Sequence, residues 1–347
     1  MNISQHWKNA RISNRIACLI CLLTVTSTSV LAFSTLPQAA AEQGYTKAVV
    51  RVPVSHGDTA VGYLLTPHRP APHPAVVVLH DHGGHFGIGK EKNIRPIWRT
   101  DLDSASNRYM QEDACQWAEK CYDGMFVGDS LAKAGYVVLA IDAVYWGERR
   151  ITTDGLTIAD DKRRKALQTD YYAQHLALYG HAWFETIVED DRCCIDYLYR
   201  IPSVDTTRIA VFGFSMGAYR AWQVAAADTR VKACVAANWM TTKADHWGGA
   251  PYPAPNNPSA YAMYCPTQSQ DYPLIAAQIA PRPFLLLYGE KDHLFQPDSV
   301  QKANNIIRGA YEQKASSSLF VAQPMPYDHF FSKEHWAYVL RFLEQVW

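Results

Sequence analysis

Gly213-Phe214-Ser215-Met216-Gly217 places a serine between two glycines in the pattern Gly-x-Ser-x-Gly. The residues just before it, 208–212, are apolar and β-branched, which predicts a buried strand. The residues just after it, 218–227, are rich in alanine and predict a helix. A tight turn between strand and helix leaves no space for side chains two positions either side of the serine, and both positions are glycine. The stretch therefore predicts a serine hydroxyl held out at a helix N-terminus, where negative charge is favoured.

The bulk composition is that of an ordinary globular protein. Of the 347 residues, 48% are hydrophobic and 19% are charged, which is ample material for a core. Lys and Arg together number 33, as do Asp and Glu, so the formal net charge is zero. This balance gives no reason to expect nucleic acid or an anionic membrane as a partner. We expect one domain over residues 42–347, because α/β folds of this size are often single domains.

Residues 1–41 predict a secretory signal peptide. Three cationic residues precede a largely apolar run at 16–33, and small residues ending at Ala41 offer a cleavage site. A second candidate site ends at Ala32. An uncleaved membrane anchor is the alternative, because the apolar run approaches membrane-spanning length. We expect cleavage and a secreted or periplasmic protein with no membrane association afterwards.

Disulfides are plausible in an oxidising compartment, since an even number of cysteines follows the signal. Cys115 and Cys121 could close a small loop. The adjacent Cys193 and Cys194 cannot easily pair with each other. The pairing stays open among the six cysteines of this region, which are Cys115, Cys121, Cys193, Cys194, Cys234 and Cys265.

Strands and helices alternate along the remaining chain. Alternating or apolar runs predict strands at 45–54, 59–65, 74–80, 135–142, 208–212, 231–237, 283–288 and 318–323. Helical patterns lie at 125–133, 182–199, 218–227, 299–311 and 333–346. This alternation predicts an α/β fold with a mostly parallel, doubly wound sheet and helices on both faces.

Two longer segments, at about 148–181 and 240–273, interrupt the alternation. Both follow strand ends on the side where ligands bind in open α/β sheets. We interpret them as lid-like insertions or substrate walls, with surface elaboration as the alternative. The second segment carries aromatic residues suited to a wall that faces a sugar or an aromatic ring, namely Trp247, Tyr252, Tyr261 and Tyr264.

A serine nucleophile requires a base near its hydroxyl and a carboxylate that orients this base. Asp292 follows an apolar strand and a glycine turn, and we predict it as the acid, with Glu290 as the competing carboxylate. His329 follows the last predicted strand and precedes the C-terminal helix, and we predict it as the base.

Two further histidines compete with His329 for the role of base. His293 adjoins the predicted acid but lies in the wrong loop, and His335 falls inside the predicted C-terminal helix. The predicted catalytic residues are therefore Ser215, Asp292 and His329.

An oxyanion that forms during acyl transfer needs backbone N–H donors. We predict Met216, directly after the nucleophile, as one donor. The second comes from the glycine-containing loop at 80–87, where we assign His82, with Gly83 as the next candidate.

The same loop holds three histidines and an aspartate, which invites comparison with a metal site. Their spacing matches no zinc signature, so we predict neither a metal nor a cofactor. We expect His80 and Asp81 to brace the loop by hydrogen bonds instead.

The chain order of serine, aspartate and histidine resembles that of the α/β-hydrolase superfamily. The stretches 78–92 and 131–149 resemble the branch of dienelactone hydrolase-like and acetyl xylan esterase-like proteins. True dienelactone hydrolases carry a cysteine nucleophile where Ser215 stands, so this chain departs from them at that position.

The resemblance implies a serine esterase that cleaves carboxylic esters through an acyl-enzyme, and the signal-like N-terminus adds the expectation that it is secreted. It implies a small-molecule or carbohydrate ester as substrate, with carbohydrate acetyl esters as one possibility. A peptidase of the prolyl oligopeptidase type is one alternative, although only a pair of strands precedes the core here. A non-catalytic binding module built on the same fold is another. The sequence leaves the oligomeric state open.

Overall fold

The computed structural model describes residues 35–153, 155–249 and 269–347. Most of the predicted signal segment lies outside the described residues. So do Cys265 and three of the aromatic residues of the second insertion, Tyr252, Tyr261 and Tyr264.

Nine strands among the described residues form one sheet. They are β1 (Thr35–Glu42), β2 (Tyr45–Pro53), β3 (Thr59–Pro67), β4 (His73–Leu79), β5 (Val137–Ile141), β6 (Val204–Phe214), β7 (Ala233–Ala237), β8 (Phe284–Gly289) and β9 (Phe320–Met325). Their order is β1-β2-β3-β5-β4-β6-β7-β8-β9. The strands from β5 to β9 in this order pair in parallel, whereas β1, β2 and β3 pair antiparallel at one edge. The prediction of a mostly parallel sheet is confirmed.

Helices alternate with these strands. They are α1 (Ser104–Cys121), α2 (Val127–Ala134), α3 (Asp161–Tyr179), α4 (Trp183–Leu198), α5 (Met216–Ala227), α6 (Lys243–His246), α7 (Tyr272–Ala276), α8 (Pro297–Gln313) and α9 (Lys333–Val346). No helix within the described ranges has the length and apolar character needed to cross a membrane.

The central strand β6 shows how the core is divided between the two faces of the sheet. Ile209 and Val211 join a hydrophobic cluster that includes residues of α4, α5 and α8. Ala210 and Phe212 join a second cluster that includes residues of α1, α2 and α9. A strand covered on both faces has no polar side, which explains the continuous apolar run at 209–212 within β6. Helices on both faces confirm the predicted doubly wound architecture.

Helix α1 was not predicted from the sequence. It begins at a cap in which the Asp103 carboxylate accepts the N–H groups of Ala105 and Ser106, each at 2.8 Å. Cys115 and Cys121 both lie in α1 and are free thiols. Six helical positions separate them by about 9 Å along the axis, beyond the reach of a disulfide. The Cys115–Cys121 pairing that the sequence left open is therefore excluded.

Strand β1 was also not predicted, because nearly all of its residues were assigned to the signal segment 1–41. Its register on β2 pairs Ala39 with Ala48 and Glu42 with Tyr45. Cleavage after Ala41 would remove nearly the whole strand, whereas cleavage after Ala32 would leave it intact.

Candidate active site

Ser215 occupies the turn between β6 and α5. Its backbone has φ 56° and ψ −125°, a strained conformation for a residue with a side chain. A Cβ on Gly213 would lie 2.0 Å from the Gly217 carbonyl oxygen, and a Cβ on Gly217 would lie 1.9 Å from the Leu79 carbonyl oxygen. Only glycine fits these two positions, so the turn can close tightly enough to expose the serine. The Ser215 N–H donates to the Ala237 carbonyl at 2.8 Å and fixes the turn against β7.

The structure brings Ser215, His329 and Asp292 together in a hydrogen-bonded chain. His329 Nε2 lies 2.8 Å from Ser215 Oγ, and His329 Nδ1 lies 2.8 Å from Asp292 Oδ2. Asp292 follows β8 and His329 follows β9, so both reach the site from the carboxyl ends of parallel strands. With Nδ1–H donating to the carboxylate, Nε2 is left free to accept the serine proton.

The Asp292 carboxylate is held in its ionised form. Its Oδ1 accepts the backbone N–H groups of Leu294 at 2.9 Å and Phe295 at 3.2 Å. Burial by itself would raise the pKa of Asp292, but the hydrogen bond and charge of His329, together with these N–H donors, lower the pKa below its usual value. An ionised carboxylate is what a neighbouring imidazolium requires as its partner.

Asn238 is a site residue that sequence reasoning missed. It lies directly after β7 with φ 56°, and its side-chain amide donates to Asp292 Oδ2 at 3.2 Å. A position just beyond the carboxyl end of a central parallel strand was the only signal available in the sequence.

The residues that competed for catalytic roles lie elsewhere. Glu290 is exposed, and its N–H pairs with the Met325 carbonyl. His293 is exposed and lies 2.7 Å from the Asp328 carboxylate. His335 is buried in α9, where its Nδ1 lies 2.8 Å from the Ser332 hydroxyl.

The two predicted oxyanion donors belong to two separate elements that border the site. Met216 is the first residue of α5, so its N–H has no partner within the helix. His82 lies on the loop after β4, and Gly83 follows it. Among the described residues, neither the Met216 N–H nor the His82 N–H donates to a protein acceptor. Both residues line the same cavity as Ser215 and His329.

The His82 ring is held neutral beside this cavity. Its Nδ1 accepts the Gly84 N–H at 3.2 Å, and its Nε2 contacts the Gln168 amide of α3. Burial of the ring, with the nearby charges of Lys92 and Lys165, lowers the pKa of His82 to about 3. A neutral ring suits a residue whose expected contribution is its backbone N–H.

The cavity over Ser215 has a volume of about 570 Å³. The first predicted insertion supplies Lys165 and Gln168 to its wall through α3. The second supplies Thr241, Asp245 and His246. Both segments therefore border the site.

Two groups of potential metal ligands occur in the described ranges, namely His85 with Asp113 and Asp161, and Asp292 with His293 and Asp328. In the first group His85 Nδ1 and Asp113 Oδ1 are 2.7 Å apart, and the Asp161 carboxylate accepts the Phe86 N–H at 2.8 Å. These contacts tie the loop after β4 to α1 and α3.

Comparison with known proteins identifies relatives of the chain. Residues 122–347 match the sequence model of the dienelactone hydrolase family. The YtaP protein of Bacillus subtilis (strain 168), provisionally named a hydrolase, is 27% identical over 266 residues, which cover 76% of this chain and 75% of that protein.

Solved structures share the fold at low sequence identity. A protein of Bacteroides fragilis NCTC 9343, provisionally named an acetyl xylan esterase, superposes with a TM-score of 0.60 at 17% identity, covering 85% of this chain and 71% of that one. A glucuronoyl esterase from Solibacter usitatus superposes with a TM-score of 0.56 at 15% identity, covering 90% and 88%.

Proposed function

The chain belongs to the dienelactone hydrolase family and is a carboxylic ester hydrolase, and we propose that Ser215, His329 and Asp292 carry out its reaction. The observation that supports this assignment is the continuous hydrogen-bonded chain from the Ser215 hydroxyl through the His329 ring to the Asp292 carboxylate, with 2.8 Å at each link. Ser215 and His329 line a cavity that has room for an ester substrate.

In the first step the Ser215 oxygen attacks the ester carbonyl while His329 Nε2 takes the serine proton. Asp292 stabilises the imidazolium that forms and keeps the ring oriented. The carbonyl oxygen becomes an oxyanion, which the Met216 and His82 N–H groups bind. Collapse of the tetrahedral intermediate breaks the ester bond, and His329 returns the proton to the departing alcohol.

In the second step water hydrolyses the acyl-enzyme. His329 removes a proton from the water as it attacks the acyl carbonyl, and the same N–H groups bind the second oxyanion. The proton then returns to Ser215 as the carboxylic acid leaves. None of these steps draws on a cofactor.

We place the substrate among carbohydrate esters, acetylated sugars first. The proposal is supported by the esterase names of the structural neighbours and by a cavity wall that offers the polar groups of Gln168, Thr241 and Asp245. Hydrolysis rates across acetylated sugars, feruloyl esters and simple esters of increasing chain length test it. Faster turnover of simple long-chain esters than of every sugar ester would contradict it.

We further propose secretion, supported by the signal-like pattern of the N-terminal residues. Because β1 pairs with β2, cleavage after Ala32 would preserve a strand that cleavage after Ala41 would remove. N-terminal sequencing of the exported protein distinguishes the two sites, and recovery of an uncleaved chain in the membrane would contradict secretion.

Substitution of the nucleophile is the decisive test. Ser215→Ala should abolish turnover of p-nitrophenyl acetate and labelling by a fluorophosphonate probe, because the Ser215 oxygen is the atom that forms the proposed acyl-enzyme. Ser130→Ala is the matched control, since the Ser130 hydroxyl only bonds the Phe126 carbonyl one helical turn earlier. Turnover by Ser215→Ala at the wild-type rate would refute the assignment.

A further inference from the structure

Lys92 is a fully buried lysine beneath the loop that carries His82. Burial lowers the pKa of its ammonium group, and the Asp81 carboxylate opposes this shift. None of the Lys92 side chain is exposed to solvent, although the sequence around it, Gly89-Lys90-Glu91-Lys92, looks like a polar surface turn. Burial of an ammonium group is costly, so its contacts need to be accounted for.

The Lys92 ammonium group donates to two successive carbonyls of the loop. Nζ lies 3.0 Å from the Asp81 carbonyl oxygen and 2.6 Å from the His82 carbonyl oxygen. These are charge-assisted hydrogen bonds, which are stronger than neutral ones.

The Asp81 carbonyl and the His82 N–H belong to one planar peptide group. A cation on the carbonyl oxygen fixes the plane of this peptide and draws electron density away from its nitrogen, which strengthens the N–H as a donor. The bond to the His82 carbonyl does the same for the Gly83 N–H, the next candidate donor.

We propose that Lys92 is a positioning residue for catalysis, which orients and polarises the peptide N–H of His82 toward the oxyanion. The inference rests on the function proposed above and extends it. Lys92 acts through the peptide and does not itself touch the substrate, since it is absent from the cavity lining.

The surroundings of Lys92 explain how its charge is tolerated. The Asp81 carboxylate lies 3.8 Å from Nζ, with one oxygen hydrogen-bonded to the Trp117 indole and the Tyr122 hydroxyl. The ring centroids of Trp117 and Trp146 lie 5.6 and 5.8 Å from Nζ, within range of cation–π attraction. The Trp146 indole N–H also donates to the His82 carbonyl, at 3.0 Å.

A polarised donor stabilises the transition state more than the bound ester, because negative charge develops on the carbonyl oxygen only during the reaction. Lys92→Met should therefore lower kcat by roughly 10- to 100-fold and leave KM within about threefold. Affinity for phenylboronic acid, which forms a tetrahedral adduct with an active serine, should fall in parallel with kcat. Lys92→Arg, which keeps the charge and the donors, should recover most of the loss.

Lys90→Met is the matched control. Lys90 is equally buried, but its ammonium group pairs with Asp142 and Glu91, at 2.8 Å each, and contacts no carbonyl of the loop. We expect this variant to lose stability while its kcat stays within about threefold of wild type. Lys92→Gln is a second test variant that does not depend on Lys92→Met being folded, and it should show the same direction of change.

The proposal is overturned if a folded Lys92→Met or Lys92→Gln protein keeps the wild-type kcat and boronate affinity. It is also overturned if Lys90→Met loses as much kcat as the Lys92 variants, because the effect would then belong to the ionic cluster as a whole. Ser215→Ala is assayed alongside. Turnover by that variant would refute the proposed function, whereas an inactive Ser215→Ala with an unaffected Lys92→Met would refute only the role of Lys92.

Discussion

The two sides of the cavity are held together by different forces. On the side of Asp292 and His329, the Asp292 carboxylate accepts hydrogen bonds from two backbone N–H groups and from the Asn238 amide, and it in turn holds the His329 ring. On the side of the proposed oxyanion donor His82, the loop contacts the buried charged side chains of Lys92 and Asp81. Hydrogen bonds to backbone survive many nearby substitutions, whereas a buried ion that loses its partner is strongly destabilising. Changes on the first side should therefore affect activity, and changes on the second should also affect folding.

The largest effect on kcat is expected from substitution of the proposed catalytic acid, Asp292. Asp292→Asn should lower kcat by about 10⁴-fold, because an amide NH2 in place of Oδ2 favours the wrong tautomer of His329, while the amide oxygen still accepts the Leu294 and Phe295 N–H groups. Steady-state hydrolysis of p-nitrophenyl acetate measures the change. Glu290→Gln, two residues earlier on an exposed position, is the control and should leave kcat near wild type. If Glu290→Gln were the inactive variant, the acid would have to be reassigned.

The second prediction concerns the contribution of the buried Asp81 and Lys92 charges to stability. Asp81→Asn removes the carboxylate 3.8 Å from Lys92 and should lower the free energy of unfolding by roughly 3–5 kcal/mol. Urea denaturation measures this loss. Asp58→Asn breaks an ion pair in which the Asp58 side chain is 59% exposed, and it should cost less than about 1 kcal/mol. Equal losses in the two variants would contradict the claim that the buried charge near Lys92 matters more for folding than an exposed one.

The smallest effect concerns pH and His335, which follows the His329 loop. Burial lowers the pKa of His335 to about 4, whereas an unfolded histidine titrates near pH 6.5. As pH falls below about 6.5, His335 binds a proton in the unfolded state but stays neutral in the folded state. The free energy of unfolding therefore decreases until about pH 4. At pH 5 the cost is about 2 kcal/mol relative to pH 7.

His335→Gln should remove this part of the pH dependence while preserving the cap at the start of α9, because glutamine suits that capping position. Urea denaturation at pH 7 and pH 5 compares the variant with wild type. His68→Gln, at an exposed position, is the control and should keep the wild-type dependence. An unchanged loss of stability at pH 5 in His335→Gln would contradict the expectation.

Much of the fold could be predicted because buried parallel strands leave a continuous apolar signal. The runs that became β4 to β9 were all identified, and the structure confirms them. Helix α1 was missed because its first turns are polar and its two cysteines suggested a different constraint. Strand β1 was missed because its short run of alanines also fits a signal cleavage site.

For the site, chain order and loop position were enough to select Ser215, Asp292 and His329, and the structure places them within hydrogen-bonding distance. Their catalytic roles stay predictions. Asn238 and Gln168 could not have been selected, because each reaches the site from an element remote in sequence and neither belongs to a pattern of fixed spacing.

The sequence by itself determined the strand–turn–helix around Ser215, because the need for glycine at 213 and 217 is local and steric. Only the tertiary structure decided that the Lys92 side chain is buried. A lysine in a polar turn is ordinarily solvated, and nothing nearby in the sequence indicates that it is buried against the backbone of its own loop. Its environment depends on Trp117 and Trp146, which come from two distant segments and whose ring centroids lie 5.6 and 5.8 Å from its ammonium nitrogen.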